Sequence, residues 1–172
     1  RFPQDVSPGE RILLDDGKLI FEVLKTDGKA VVTAQVLQGG VLKSKKGVNL
    51  PNTKISLPAL TEKDVDDALF AVEQDVDWIA LSFVRHKQDV EDLRELIKKH
   101  SKYDIPIISK IEKPEALENI KEIVKASNGL MVARGDLGVE VPAEEVPLVQ
   151  KELVQRAKIA RIPVIVATQM ME

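Results

Sequence analysis

A chain of 172 residues, 44% hydrophobic and 31% charged, has a globular composition and enough length for a sizeable core in about one domain. Its 25 Lys and Arg against 28 Asp and Glu are mixed throughout to a net charge of −3, and aromatics are only 3%, so nothing marks a nucleic-acid or anionic-membrane partner. The absence of cysteine excludes disulfides and thiolate metal sites and fits a reducing cytosol, and no apolar run nears the ~20 residues of a membrane span.

Residues 1 to about 47 read as a β meander. The runs "RILLD", "KLIFEVLK", "KAVVTAQVL" and "VLKSKK" are strand-like, and "DDG", "TDG" and "QGG" separate them as tight hairpin turns. From about Asn49 the pattern changes. "TEKDVDDALFAVEQ" predicts a helix with Thr61 as N-cap, and Val65, Leu69 and Val72 recur at helical spacing. Strand "WIALSF" follows, then helix "KQDVEDLRELIKKH", with Val90, Leu93, Leu96 and Ile97 along one face. The alternation continues through strand "IPIISKI", helix "PEALENIKEIVKAS", strand "GLMVAR", helix "EEVPLVQKELVQRAKIA" and strand "PVIVAT". Pro114 suits the first turn of its helix, where its missing N–H has no intrahelical partner to lose.

Four apolar strands joined by amphipathic helices predict parallel β/α units with both sheet faces covered. The sheet is either open and doubly wound or part of a (β/α)8 barrel. No "GxGxxG" follows a strand, which disfavours a dinucleotide-binding open sheet. A complete barrel takes about 250 residues. Here only four barrel strands are read, the last at "ATQMME", and no signal peptide precedes "RFPQDVSPGE". The expectation is a segment of a larger protein, of class α/β: residues 1–47 form a small all-β part and residues 48–172 a partial (β/α)8, TIM-type barrel.

Polar residues stand at the carboxyl ends of the four strands, where parallel α/β folds place their chemistry. They are Ser82, Lys110 with Glu112, Asp136, and Thr168. Lys110 lies among apolar neighbours, a costly place for an unpaired ammonium. Glu112, two residues on, points to the same side, so a purely structural Lys–Glu pair is one reading. Adjacent strands lie about 4.8 Å apart, and carboxylates at neighbouring ends, Glu112 and Asp136, suit a shared Mg²⁺ completed by substrate oxygens. The alternative for Asp136 is an N-cap on the turn "GDLG". In "ARGD", Gly135 permits close backbone approach to a ligand, and a short helical turn starting there would favour an anion; a plain β-turn or an adhesion-type Arg-Gly-Asp are the rivals. Ser82 and Thr168 are by themselves ordinary strand-end residues. His86 and His100 have no metal-ligand partner at helical spacing and read as solvent-facing. "KSKKG" reads as a solvated turn whose lysine beside glycine can meet a phosphate.

The words "KKGVNLP", "LPALTEKD", "SFVR", "KIEKPEALENI", "MVARGDLGVEVP" and "ATQMME", in this order and spacing, closely resemble the pyruvate kinase family over nearly the whole chain. The resemblance implies the later part of a β-barrel lid domain, followed by the third helix and strands four to seven of the catalytic barrel. It implies phosphoryl transfer from phosphoenolpyruvate to ADP, giving pyruvate and ATP, in a cytoplasmic, homotetrameric parent enzyme. Glu112 and Asp136 resemble the ligands of its Mg²⁺ (or Mn²⁺), and Lys110 its phosphoryl-stabilising lysine. Gly135, Asp136 and Thr168 resemble positions that hold the substrate carboxylate, Lys46 a nucleotide contact, and Ser82 a support for the lysine. Asn52 departs from the family's usual glycine in "NLPG". The family's K⁺ ligands and a substrate arginine match nothing here, so the isolated chain is expected to be inactive. A Mg²⁺-dependent aldolase or lyase acting on a pyruvate enolate is the alternative enzyme, against which the lid-like first 47 residues speak. A non-catalytic assembly piece is the rival from another class.

Overall fold

A computed structural model describes residues 2–53 and 58–168. The chain divides into two compact units, Arg1–Ser56 with Gly138–Pro142, and Leu57–Leu137 with Ala143–Glu172.

The first unit opens with a short helix, α1 (Phe2–Asp5), that the residue pattern did not announce. Strands β1 (Arg11–Leu14), β2 (Leu19–Thr26), β3 (Val32–Gln38) and β4 (Val48–Asn49) form one antiparallel sheet in the order β3-β2-β1-β4. Alternation along β1 and β2 points Ile12 and Val23 inward, where they pack with Val6 and Leu50. The "DDG" turn joins β1 to β2 with Asp15, Asp16 and Gly17 all at positive φ. In the "TDG" turn, one Asp27 carboxylate oxygen accepts the N–H groups of Lys29, Ala30 and Val31. These bonds, Val31 foremost, hold the Asp27 carboxyl below its ordinary range.

The predicted strand "VLKSKK" does not form. Val41 and Leu42 are exposed, Lys45 turns through φ +60°, and the partner of β1 is instead Val48–Asn49, through Leu13↔Asn49 and Leu14↔Val48. Three lysines in six residues leave that run without an apolar face to bury. In the same unit, Asn49 donates through Nδ2 to Oε1 of Glu140 at 3.0 Å.

The second unit is the β/α part. Helix α2 (Glu62–Glu73) begins with the expected Thr61 cap, whose hydroxyl accepts the Asp64 N–H while the Asp64 carboxylate accepts the Thr61 N–H. Then come β5 (Ile79–Leu81), α3 (Lys87–His100) and β6 (Ile107–Ile111), followed by α4 (Pro114–Glu118) and α5 (Ile120–Ala126). The series closes with β7 (Gly129–Ala133), α6 (Arg134–Glu140), whose residues from Gly138 on count with the first unit, α7 (Val146–Ala160) and β8 (Val164–Ala167). The single helix expected over "PEALENIKEIVKAS" is broken at Asn119. Its side-chain amide donates to the Glu115 carbonyl, the side-chain competition with helical bonding that makes Asn a poor interior residue.

The strands are parallel and ordered β5-β6-β7-β8, each beside its sequence neighbour. An open doubly wound sheet reverses its order at a switch point; this one does not. Residues 81, 107, 109, 111, 130 and 132 are buried on one face. The apolar ones join Ala68 and Val72 of α2, Val90, Leu93 and Ile97 of α3, Ile123 of α5, and Leu153 and Ala157 of α7 in a single cluster. Helices thus cover one face, rather than the two that apolar strands suggested. On the other face Ile108, Lys110, Met131 and Ala167 are only partly buried, and Ile165 is exposed. Sequential parallel strands with one outer helical layer are a sector of a (β/α)8 barrel. Among the described residues, no helix is long and apolar enough to cross a membrane.

Candidate active site

Strand polarity fixes where the polar residues gather. All four strands run the same way, so Ser82, Lys110, Glu112, Gly135, Asp136 and Thr168 stand at one end of the sheet.

Two local constellations form there. At the ends of β5 and β6, Lys110 Nζ lies 2.6 Å from Glu112 Oε1 and donates to Ser82 Oγ at 3.0 Å. The second Glu112 oxygen, Oε2, accepts the backbone N–H of Phe83 at 2.7 Å. Glu112 is 2% exposed. A carboxylate so far from water is tolerable only when paired and hydrogen-bonded, and both conditions are met. The Lys110 side chain keeps 26% of its surface exposed, so its ammonium reaches the open side of the sheet. The Lys–Glu pair thus closes a strand end and also aims a cation.

At the ends of β7 and β8, Arg134 donates through Nε to the Ala167 carbonyl at 3.1 Å and through Nη2 to the Thr168 carbonyl at 2.8 Å. A methyl group added at Gly135 would stand 3.3 Å from Thr168 Oγ1. Gly135 and Thr168 are therefore neighbours, and a side chain at position 135 would press on the hydroxyl by a few tenths of an ångström. "ARGD" is neither a plain turn nor a free adhesion loop, because Arg134 opens α6. Asp136 is the third residue of that helix rather than its N-cap, with its side chain exposed.

Glu112 stands one residue beyond the Ile111↔Val132 pair of β6 and β7, and Asp136 follows β7 by three residues. Among the described residues, no group of three or more His, Cys, Asp or Glu is placed to hold a metal ion. Two carboxylates are, however, the usual protein share of a Mg²⁺ site that leans on substrate and water.

Lys46 belongs to the first unit and pairs there with Asp15 Oδ1 at 2.7 Å. That hydrogen bond is the main reason the Asp15 carboxyl titrates below its usual 3.8, with desolvation opposing, and it raises Lys46 above 10.5. The Asp15 contribution to stability is therefore present above about pH 4 and lost as pH falls through its lowered value. The Lys46 contribution is fully present below 10.5 and lost as pH rises through its raised value. Lys46→Met is expected to move the Asp15 midpoint upward in a carboxyl-carbon NMR titration. An unmoved midpoint would assign the shift to Lys18 instead.

His86 is exposed, as expected, but its Nε2 lies 3.2 Å from Glu115 Oε1. Sequence reasoning missed the Phe83 N–H as the second holder of Glu112, and Arg134 as the clamp on β8. Both lie within the words "SFVR" and "ARGD", but backbone donors and guanidinium targets leave no trace in residue type. The part of "ATQMME" beyond Thr168 lies outside the described residues.

Parallel β/α units carrying a lysine, a buried glutamate and hydroxyls at their carboxyl ends define a barrel of the enzyme type. The family model "Pyruvate kinase, barrel domain" matches residues 1–172. Pyruvate kinase of Geobacillus stearothermophilus is 54% identical over 169 residues, covering 98% of this chain and 29% of its own length. That of Bacillus licheniformis is 54% identical over 170 residues, with the same 98% and 29% coverage. That of Clostridium perfringens is 48% identical over 169 residues, covering 98% of this chain and 35% of its own. The chain belongs to the pyruvate kinase family. It spans about a third, or less, of the length of these relatives. Nothing in the comparisons favours a metal-dependent aldolase or lyase.

Proposed function

We propose that the chain forms the phosphoryl- and metal-facing sector of an enzyme that transfers a phosphoryl group from phosphoenolpyruvate to ADP, giving pyruvate and ATP. The observation that carries this reading is the Lys110 ammonium, held at the strand ends by buried Glu112 and by Ser82, in a chain matched throughout by the family model. Phosphoryl transfer asks little covalent chemistry of a protein and much preorganised positive charge. Lys110 supplies such a charge with its orientation already fixed, so none of its reorganisation has to occur during the reaction. Ser82 supports the lysine, and Gly135, Asp136 and Thr168 receive the substrate carboxylate. The space that Gly135 leaves before the Thr168 hydroxyl supports that assignment.

Glu112 and Asp136 would hold the divalent metal, Mg²⁺ or Mn²⁺. Their hard oxygen donors suit it, and Glu112 retains lone pairs after its two hydrogen bonds. When bound, the metal supplies Lewis-acid charge to the phosphoryl and enolate oxygens. K⁺ completes the proposed cofactor set; we assign it no ligand here. We take the first unit as the later part of the lid, with Lys46 meeting ADP, and place the enzyme in the cytosol as a homotetramer.

The test is an assay of the full-length protein with Mg²⁺, K⁺, ADP and phosphoenolpyruvate. Equimolar ATP and pyruvate are expected, each dependent on both substrates. Pyruvate released from a hydroxy-keto acid without nucleotide would favour the lyase reading instead.

A further inference from the structure

We infer that Asn119 is a positioning residue for the strand-end cluster, acting through the Ser82–His86 loop without touching substrate; the inference rests on the phosphoryl-transfer reading of Lys110. That loop follows β5 and contributes two of the cluster's contacts, Ser82 Oγ to Lys110 and the Phe83 N–H to Glu112. Its path is not one the backbone favours. Phe83 sits at φ +54°, a left-handed conformation that is strained for a residue with a bulky side chain. Its ring is 51% exposed, so burial of the ring does not offset the strain.

The holding is done by neighbours. Val84 is fully buried in the apolar cluster and sets the depth of the loop. The N–H groups of Arg85 and His86 both donate to Asp89 Oδ2, at 2.8 and 2.9 Å. Asp89 belongs to α3, the helix this same loop enters, and would move with it. Besides the cluster contacts themselves, the ties to a separate segment come from the α4–α5 break. Asn119 Nδ2 donates to the Arg85 carbonyl at 3.1 Å and to the Glu115 carbonyl at 3.0 Å, while His86 meets Glu115. Both amide hydrogens of Asn119 thus point at carbonyl oxygens. One anchors the side chain to its own helix, and the other fixes the peptide that follows Arg85.

This explains why the helix is interrupted at Asn119. The segment leaving β6 carries Glu112 and seven residues later turns back to hold the loop that Glu112 itself grips. Ser82 and Phe83 are then fixed from both sides, and the Ser82 hydroxyl meets Lys110 at one place only.

Asn119→Asp keeps the shape but sets a carboxylate against two carbonyl oxygens. In the full-length enzyme we expect kcat to fall about tenfold or more, as on loss of an outer-shell partner, with KM for ADP unchanged. The decisive measurement is a double-mutant cycle with Ser82→Ala. If Asn119 acts through this loop, its loss costs at least about twofold less in the Ser82→Ala background than in the parent, the remainder passing through Phe83 and Glu112. Losses that multiply would overturn the inference, as would a normal kcat in Asn119→Asp. If the Asp variant does not fold, Asn119→Ala enters the same cycle with the same expectations. Lys110→Met separates the two readings. An inactive Lys110→Met beside a normal Asn119 variant removes this inference alone, whereas an active Lys110→Met removes the phosphoryl-transfer reading with it.

Discussion

Lys110→Met in the full-length enzyme is expected to lower kcat by about two to three powers of ten or more, with little change in KM for ADP. Methionine preserves the unbranched stem that threads the strand end and deletes only the charge. A fixed cation aimed at a transferring phosphoryl group acts mainly where charge develops, so its loss should fall on kcat. If kcat holds and only KM rises, Lys110 binds substrate without assisting the transfer. The same change strips the 2%-exposed Glu112 of its counter-ion. Leaving a buried charge unpaired destabilises by about 3 kcal/mol or more, so the assay belongs well below the variant's melting midpoint. Loss of activity in a protein that still melts cooperatively is the informative result.

The second large effect is expected in metal binding. Glu112→Gln and Asp136→Asn should each weaken Mn²⁺ binding by at least about tenfold, read from water-proton relaxation. Their structural consequences should differ. Asp136 is exposed in the first turn of α6, so its asparagine variant should melt like the parent. Glu112 lies between the Phe83 N–H and the Lys110 ammonium. Glutamine retains an oxygen for the first but turns an amide donor toward the second, and its melting midpoint should fall. Unchanged Mn²⁺ affinity in both variants would end the shared-site proposal.

Where residue type and spacing determine local structure, the sequence was a sufficient guide. Thr61 followed by Asp64 is a reciprocal cap wherever it meets a helix start, and α2 begins there; α3 runs over Lys87–His100 as its apolar period requires. Lys110 drew notice because an ammonium among isoleucines must find a partner, and Glu112 is that partner. The failures share a different cause. The edge beside β1 was filled by Val48–Asn49 because pairing, a property of the assembled sheet, outweighed the strand-like look of Val41 and Leu42. The break at Asn119 depends on a carbonyl 34 residues away at Arg85, which no local period encodes. The helical layer on a single face was also hidden. Apolar strands look alike whether their second side meets helices or a barrel interior, and only the unreversed strand order separates the two.

The alternation along β6 works as a parity check. Ile107, Ser109 and Ile111 are sealed against the helices, and even Ser109 is accommodated only because Ser127 lies 2.6 Å away and itself donates to the Ile123 carbonyl. Lys110 occupies the opposite parity. A slip or insertion of one residue within the strand would drive the ammonium into that dry layer and turn isoleucines toward the open side. The chain would then fail to fold rather than fold with its lysine misdirected. Errors in the placement of Lys110 are thereby converted into errors of folding, so every copy that completes its core carries the lysine on the correct side of the sheet.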